Sequence, residues 1–258
     1  MTCKDHKILT VAYYTFQALL KSRVLFHIIL IGLLLLFISF VAGEFAFGIA
    51  ERVVLDFGLG TLSLSTMAIS ILMGAGLISD EIESRTIYMT LSRPISRVSF
   101  LLGKSLGMGF LLISNVVISS SLTLGFYIYL GGELNPLIFW NILYTILEAL
   151  ICLFIVMLFS LVANKALSVI FTFFLYLSGH AVNDEFIEKF SLSSPMGFLL
   201  EKYHYLFPGF HKLNIKNFLL YQKDLEFNFL LKTLGYGFFY LLALVLLVCF
   251  VFERKDLD

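Results

Sequence analysis

Several residue types that shape soluble or secreted proteins are scarce in this sequence of 258 residues. Only 14% of the residues are charged, and 18 basic side chains balance 18 acidic ones. Nothing in this balance favours nucleic-acid binding, which needs a basic surface. The three cysteines, Cys3, Cys152 and Cys249, do not imply a disulfide framework.

Sequence motifs of common catalytic sites are also missing. No G-x-x-x-x-G-K-[ST] phosphate loop occurs, so the chain is not expected to bind and hydrolyse ATP by that route. The H-E-x-x-H and G-x-S-x-G patterns are absent as well. The spacing of Met196, His204 and His211 matches no metal motif. We therefore expect a chain that is not an enzyme and that holds no cofactor or metal of its own.

Long apolar runs are what the sequence has in abundance. Hydrophobic residues make up 59% of the chain, with 28 phenylalanines, and the mean hydropathy is +0.94. A soluble domain is typically nearer to half apolar. The sequence predicts an all-α, multi-pass membrane protein with one transmembrane domain over residues 1–258. Its six predicted membrane spans are residues 24–42, 59–78, 100–130, 137–162, 167–181 and 229–252.

The parts outside the spans are predicted to have their own structure. Residues 1–23 repeat apolar positions at helical spacing between basic ends, which indicates an amphipathic helix in the membrane interface. The alternative is an extended start to the first span. Gly103 and Gly107 are interpreted as helix-packing residues rather than as a dimer motif. Residues 182–228 form a long loop whose apolar content predicts short helices packed on the bundle or dipping into the membrane.

The distribution of lysine and arginine predicts the topology. Basic residues concentrate in residues 1–23, in the segment 79–97 with the start of the third span, in the turn at Lys165 and in the C-terminal tail. Basic residues mark the cytoplasmic side of short loops. Both termini and the segment 79–97 are therefore expected on the cytoplasmic face of the cell (inner) membrane, and the loop 182–228 on the other face.

The charged segment 79–97 separates the second and third spans. Asp80 with Glu83 three residues later is an acidic version of a capping box, which predicts that a short helix begins there. Pro94 is expected to end that helix. One face of such a helix is apolar and the other is charged, which is typical of a helix that fits a groove in a partner protein.

This segment resembles the one that follows the second span in ABC-2 type transporter permeases, in the branch often described as multicopper-enzyme maturation permeases. The shared pattern is E-x-E-x-x-T-x-x-x-x-L-S-R-P-I-S-R, followed by L-G-K at residues 102–104. The resemblance implies a coupling helix that docks on a separate ATPase subunit, which binds ATP and Mg²⁺. It also implies two ATPase copies and a second permease copy. The coupling residues would be Asp80, Glu81, Glu83, Arg85, Thr86, Met89, Arg93, Pro94 and Arg97. The alternative is an ordinary cytoplasmic loop.

Glu148 is the one acidic residue well inside a predicted span. A charge at that depth is costly, so the side chain is expected to face other helices or a watery cavity, or to be protonated. Asn115 and Ser119 lie at a similar depth in the preceding span and are candidate hydrogen-bond partners. Either a structural contact between spans or a place on a translocation path would explain the residue.

The favoured function is the membrane-spanning subunit of an ATP-binding cassette transporter, an exporter driven by a separate ATPase. The alternative is a mechanotransmitter that uses the same movement to act on an extracytoplasmic partner without moving a substrate. An ion-coupled carrier is disfavoured. Several intramembrane charges and an internal repeat are expected of that class, whereas this sequence offers Glu148 and no visible repeat.

Overall fold

The computed structural model describes residues 3–45, 50–87, 95–183, 198, 202–203, 207–220 and 225–255. This part of the chain is helical and contains no strand. The helices with defined ends are α1 (Cys3–Leu20), α2 (Arg23–Phe45), α3 (Ala50–Glu83), α4 (Arg97–Tyr129), α5 (Pro136–Val162), α6 (Lys165–Ala181), α7 (Phe210–Leu213), α8 (Lys216–Leu220) and α9 (Phe227–Arg254).

Four of these helices, α3, α4, α5 and α9, are long and apolar enough to cross a membrane. They contain four of the six predicted spans. The other two predictions fall in α2, which has 23 residues, and in α6, which has 17. At 1.5 Å per residue α6 is about 25 Å long, shorter than the hydrocarbon core of about 30 Å. The count of six spans stays a prediction.

The helix that contains the second predicted span, residues 59–78, is longer than the span itself. Glu51, Arg52 and Asp56 precede residue 59 and lie inside α3. This helix has 34 residues, so it is about 51 Å long and projects well beyond a hydrocarbon core. Charged side chains are stable on such a projecting turn because water reaches them. The negative charge of Glu51, in the first turn, also interacts favourably with the positive N-terminal end of the helix dipole.

The predicted role of Asp80 as the cap of a new helix is wrong. Asp80 lies in the last turns of α3, which ends at Glu83. Arg85 then has a φ of 58°, the left-handed conformation that commonly ends a helix. Thr86 and Ile87 begin a further helical turn. Residues 88–94 lie outside the described residues, so the predicted coupling helix is described only at its two ends.

Two helix starts follow the capping rules closely. Asn135 accepts a hydrogen bond of 2.9 Å from the backbone N–H of Leu137, and Pro136 occupies the first turn of α5. Asn164 accepts one of 2.9 Å from the N–H of Leu167 and caps α6. These local contacts fix the places at which the chain reverses direction at each end of α5.

The glycine pair in α4 packs against α1. A Cβ atom at Gly107 would lie 2.6 Å from the carbonyl oxygen of Ala12, and one at Gly103 would lie 2.7 Å from Cβ of Val11. Only glycine permits this approach of the two helices. The interpretation of both glycines as helix-packing residues is therefore confirmed, and their partner is the N-terminal helix of the same chain.

Helices α3 and α5 form the centre of the bundle. Helix α3 packs against α2, α4, α5 and α6, and α5 also packs against α9. The short helices α7 and α8 fill the space between these long helices, because Phe210, Leu213, Ile215 and Leu219 are all buried in the core. The expectation of short packed helices in the loop 182–228 is thus confirmed for residues 207–220.

Candidate functional site

The buried acid Glu148 meets His180 in the middle of the bundle. Glu148 lies near the centre of α5 and is only 7% exposed. Nε2 of His180 lies 2.8 Å from Oε1 of Glu148. The contact is possible because α6 begins beside the end of α5 and runs back along it, so that residue 180, about 22 Å along α6, comes level with residue 148.

Two hydroxyl groups and an aromatic stack extend this contact. The hydroxyl of Tyr176 lies 3.2 Å from Oγ of Ser63 on α3. The ring of Tyr176 contacts that of His180 edge-on at 4.7 Å, and the ring of Phe210 stacks on His180 at 5.8 Å. The imidazole of His180 thus lies between the ring of Tyr176 on its own helix and the ring of Phe210, the first residue of α7. Three helices, α3, α5 and α6, contribute to one polar cluster, which we call the Glu148 cluster: Ser63, Glu148, Tyr176 and His180.

A cavity of about 460 Å³ adjoins the Glu148 cluster. The cavity is large enough for a small organic molecule. Four leucines and a larger set of polar side chains share its wall. The lining residues are Leu59, Gly60, Ser63, Leu64, Asn141, Thr145, Glu148, Tyr176, Leu177, His180, Leu213, Asn214 and Lys216.

An ion pair closes one side of this cavity. Nζ of Lys216, at the start of α8, lies 2.6 Å from Oδ1 of Asp56 on α3. Asp56 is about 10 Å along α3 from Ser63, toward the start of the helix. The pair therefore joins the short helices to α3 above the Glu148 cluster, and its lysine is part of the cavity lining.

The polar residues predicted near Glu148 lie elsewhere. Asn115 donates a hydrogen bond of 3.1 Å to Oγ1 of Thr66, and Glu148 pairs with His180 instead. Asn115 and Ser119 line a separate cavity of about 140 Å³ between α2, α3 and α4. They do not reach Glu148 because the face of α4 that carries both residues is turned toward α2 and α3, away from α5.

A second set of charged contacts lies at the end of the bundle where α3 stops and α4 and α6 begin, here called the terminal end. Nζ of Lys165 donates to both carboxylate oxygens of Asp80, at 2.7 and 2.8 Å. Nζ of Lys104 on α4 donates to Oε1 of Glu81. Two adjacent acids of α3 are thus tied to two different helices.

The C-terminal end of α9 joins the same region. Nη1 of Arg97, the first residue of α4, donates to the carbonyl oxygen of Lys255 at 2.9 Å. Nζ of Lys255 in turn donates to the carbonyl oxygen of Leu161 at 2.6 Å, which caps the end of α5. Every long helix that begins or ends here, α3, α4, α5, α6 and α9, is therefore linked to a neighbour by a charged side chain.

The predicted coupling residues divide into three groups. Asp80 and Glu81 are paired as described, and Arg97 binds the C-terminal backbone. Glu83, Arg85 and Thr86 are exposed at the end of α3 and the turn that follows it. Met89, Arg93 and Pro94 lie outside the described residues.

Several members of the site were missed by sequence reasoning. Ser63, Tyr176, His180 and Lys216 are each ordinary in their own segments, and only the fold brings them together. His180 carried a usable signal, since an ionisable side chain within a predicted span is a functional hypothesis by default. Applying that rule to histidine as well as to the acids would have selected it.

The sequence of residues 9–257 matches the family described as ABC-2 family transporter protein. The chain belongs to this family. Members are generally non-catalytic membrane subunits of ATP-binding cassette transporters, and the four long apolar helices agree with that role. No curated protein shows significant sequence similarity to the chain.

Proposed function

We propose that this ABC-2 permease subunit works as a pair of copies in the cell (inner) membrane, with two separate ATPase subunits bound at the terminal end, and that it exports a substrate. The terminal end then faces the cytoplasm together with both chain termini. The observation that carries the proposal is the pair of contacts made by Asp80 and Glu81 at the end of α3, directly before the segment that resembles a coupling helix.

These contacts would let the end of α3 pass a movement of the coupling segment on to other helices. A movement of residues 84–97 acts on α3 through the continuous backbone, on α6 through Lys165 and on α4 through Lys104. Helix α3 also carries Ser63 on the cavity wall, and Asp56, which pairs with the lining residue Lys216. Residues 56 and 80 are about 36 Å apart along this one helix, slightly more than the hydrocarbon core is thick. Rotation or tilt of α3 would therefore reach both the ATPase side and the cavity.

Docking is tested by variants within residues 83–89. Reversing Glu83 and Arg85 together replaces each charge by its opposite, and Met89→Asp places a carboxylate on the predicted apolar stripe. An unpaired charge in an apolar groove costs a few kcal/mol, about a hundredfold in affinity, so Met89→Asp is expected to be the more severe change.

The measurement is the amount of ATPase that co-purifies with tagged permease, together with the permease level in the membrane. Membrane levels are expected to stay normal while ATPase recovery falls. A matched control is Glu133→Lys, which reverses an exposed acid in the turn between α4 and α5, at the other end of the bundle. Normal recovery and normal ATP-driven activity in both test variants would contradict the docking proposal.

A mechanotransmitter is the second candidate, and one observation favours it. Residues 207–220 are packed into the bundle on the side of Lys216 and Asp56, with Phe210 fully buried, so movement of α3 would be felt at that surface. Transport assays with the reconstituted complex separate the two functions. ATP hydrolysis that depends on an outer partner protein and moves no solute would favour the mechanotransmitter.

A further inference from the structure

The cavity beside the Glu148 cluster has a rim that faces outward from the bundle. Leu64 on α3 is 55% exposed and Leu177 on α6 is 46% exposed, and both belong to its lining. Leu64 lies midway along α3 and Leu177 about one turn from the end of α6. In a membrane protein, exposed leucines on such apolar helices face lipid or another subunit. The cavity is therefore reached from the side, between α3 and α6, by a molecule with an apolar part.

Within the described residues, the lining of the cavity holds one carboxylate, that of Glu148, which is 7% exposed and whose Oε1 lies 2.8 Å from Nε2 of His180. The lysine of the lining, Lys216, is engaged by Asp56 at 2.6 Å. An ammonium group placed in the cavity beside Glu148 would therefore meet an acid directly, at a depth where water screens little.

We propose that this cavity binds an amphipathic organic cation, an amine whose ammonium group lies against Glu148 and whose apolar body lies among Leu59, Leu64 and Leu177. The volume of about 460 Å³ supports an organic molecule rather than a bare ion. Hydroxyl groups of Ser63, Tyr176 and Thr145 on the same wall accept the remaining N–H bonds of the ammonium. The proposal rests on the proposed function only in regarding this amine as cargo.

The test uses three probes that differ in charge and share one ring system: tryptamine, tryptophol and indole-3-acetate. Each is titrated against the full-length permease in lipid nanodiscs, with empty nanodiscs to subtract partition into lipid. Tryptamine is expected to bind saturably and at least about tenfold more tightly than tryptophol, because the ammonium lies in a poorly screened site. Indole-3-acetate is expected to bind more weakly still.

Variants of Glu148 test whether its carboxylate causes the preference for tryptamine. Glu148→Gln keeps the shape and a hydrogen bond to His180 but removes the charge, so the difference between tryptamine and tryptophol is expected to disappear. Glu148→Asp keeps the charge on a shorter side chain and is expected to keep the order of the three probes with weaker tryptamine binding. Glu133→Gln removes an exposed acid outside the cavity lining and is the matched control. This variant is expected to prefer tryptamine over tryptophol as strongly as the natural chain does.

Three results would overturn the proposal: no saturable tryptamine binding up to about 10 mM, equal affinity for tryptamine and tryptophol, or unchanged tryptamine binding in Glu148→Gln. The limit of 10 mM corresponds to a binding free energy of only about −2.7 kcal/mol. Should Glu148→Gln fold poorly, the Glu148→Asp variant and the three-probe order still decide the matter. These measurements need no ATPase, so the outcome is separate from the co-purification test of the proposed function.

Discussion

The pairs Glu148 with His180 and Asp80 with Lys165 each join a carboxylate to a basic side chain, in opposite surroundings. The first is enclosed by α3, α5, α6 and α7, whereas the Asp80 side chain is 55% exposed at the terminal end. A buried pair is weak evidence of net stabilisation, but removing one partner typically costs about 3–5 kcal/mol. An exposed pair contributes about 0–1 kcal/mol. We therefore expect changes at the buried pair to affect assembly most, and changes at the exposed pair to affect stability little.

The largest expected effect comes from replacing Glu148, the acid of the buried pair. Glu148→Lys places a second base beside His180 with no acid to pair it, so the chain is expected to assemble poorly, with a loss of at least 3 kcal/mol or about a hundredfold in folded fraction. Fluorescence-detected size exclusion of a tagged chain measures the monodisperse fraction. Glu148→Gln is expected to elute normally because glutamine keeps the hydrogen bond.

The exposed acid Glu133 serves as the reference for that experiment. Glu133→Lys makes the same change of charge at a solvated turn and is expected to leave the elution profile unchanged. If Glu148→Lys matched Glu133→Lys, the buried pair would have no special role in assembly.

An intermediate effect is expected where α1 is fastened to α4. Gly107→Leu puts a side chain into the 2.6 Å gap to the carbonyl of Ala12, which costs about 1–3 kcal/mol if the helices must separate. Gly125→Leu is the matched control in the same helix, because no atom lies within 4 Å of a Cβ there. Thermal unfolding in detergent is expected to show a lower melting temperature for Gly107→Leu alone, and equal melting of the two would argue against the α1 contact.

The smallest effect on stability, and a clear one on coupling, is expected at the exposed pair. Asp80→Lys and Lys165→Asp each replace attraction by repulsion, yet each should change stability by under about 1 kcal/mol. ATP hydrolysis by the co-purified ATPase is expected to lose its dependence on transport substrate. The double variant restores the pair with reversed polarity and should recover coupling. Single variants that couple as well as the natural chain would remove the pair from the transmission route.

Local sequence signals agree with some helix ends and fail at others. The predicted spans 137–162 and 167–181 lie within α5 and α6, whose starts the side chains of Asn135 and Asn164 cap. Asp80 shows where local rules fail. Its spacing to Glu83 favours a new helix start, but the apolar helix before it simply continues, and the carboxylate is satisfied by Lys165, 85 residues away in the chain.

Local rules also found only part of the candidate site, namely Glu148 and not its partner. Glu148 can be found from the sequence because an acid inside an apolar run is rare and costly, so it needs either a structural partner or a functional role. Its partner is not visible in that way, since Asn115 and His180 both lie at a suitable depth and only the packing of α6 against α5 selects His180. The cavity also depends on residues 207–220, whose approach to α3 and α5 leaves no periodic pattern in the sequence.

We expect movement at the terminal end to reach the cavity through α3 and α6. Spin labels at Leu64 and Leu177, on the two sides of the cavity opening, report its width by double electron–electron resonance in the reconstituted complex with its ATPase. A non-hydrolysable ATP analogue is expected to shift the distance between the labels by several ångströms in the natural chain, and Asp80→Lys is expected to abolish that shift with the ATPase still bound. An identical distance distribution with and without the analogue, in a complex that hydrolyses ATP, would contradict the claim.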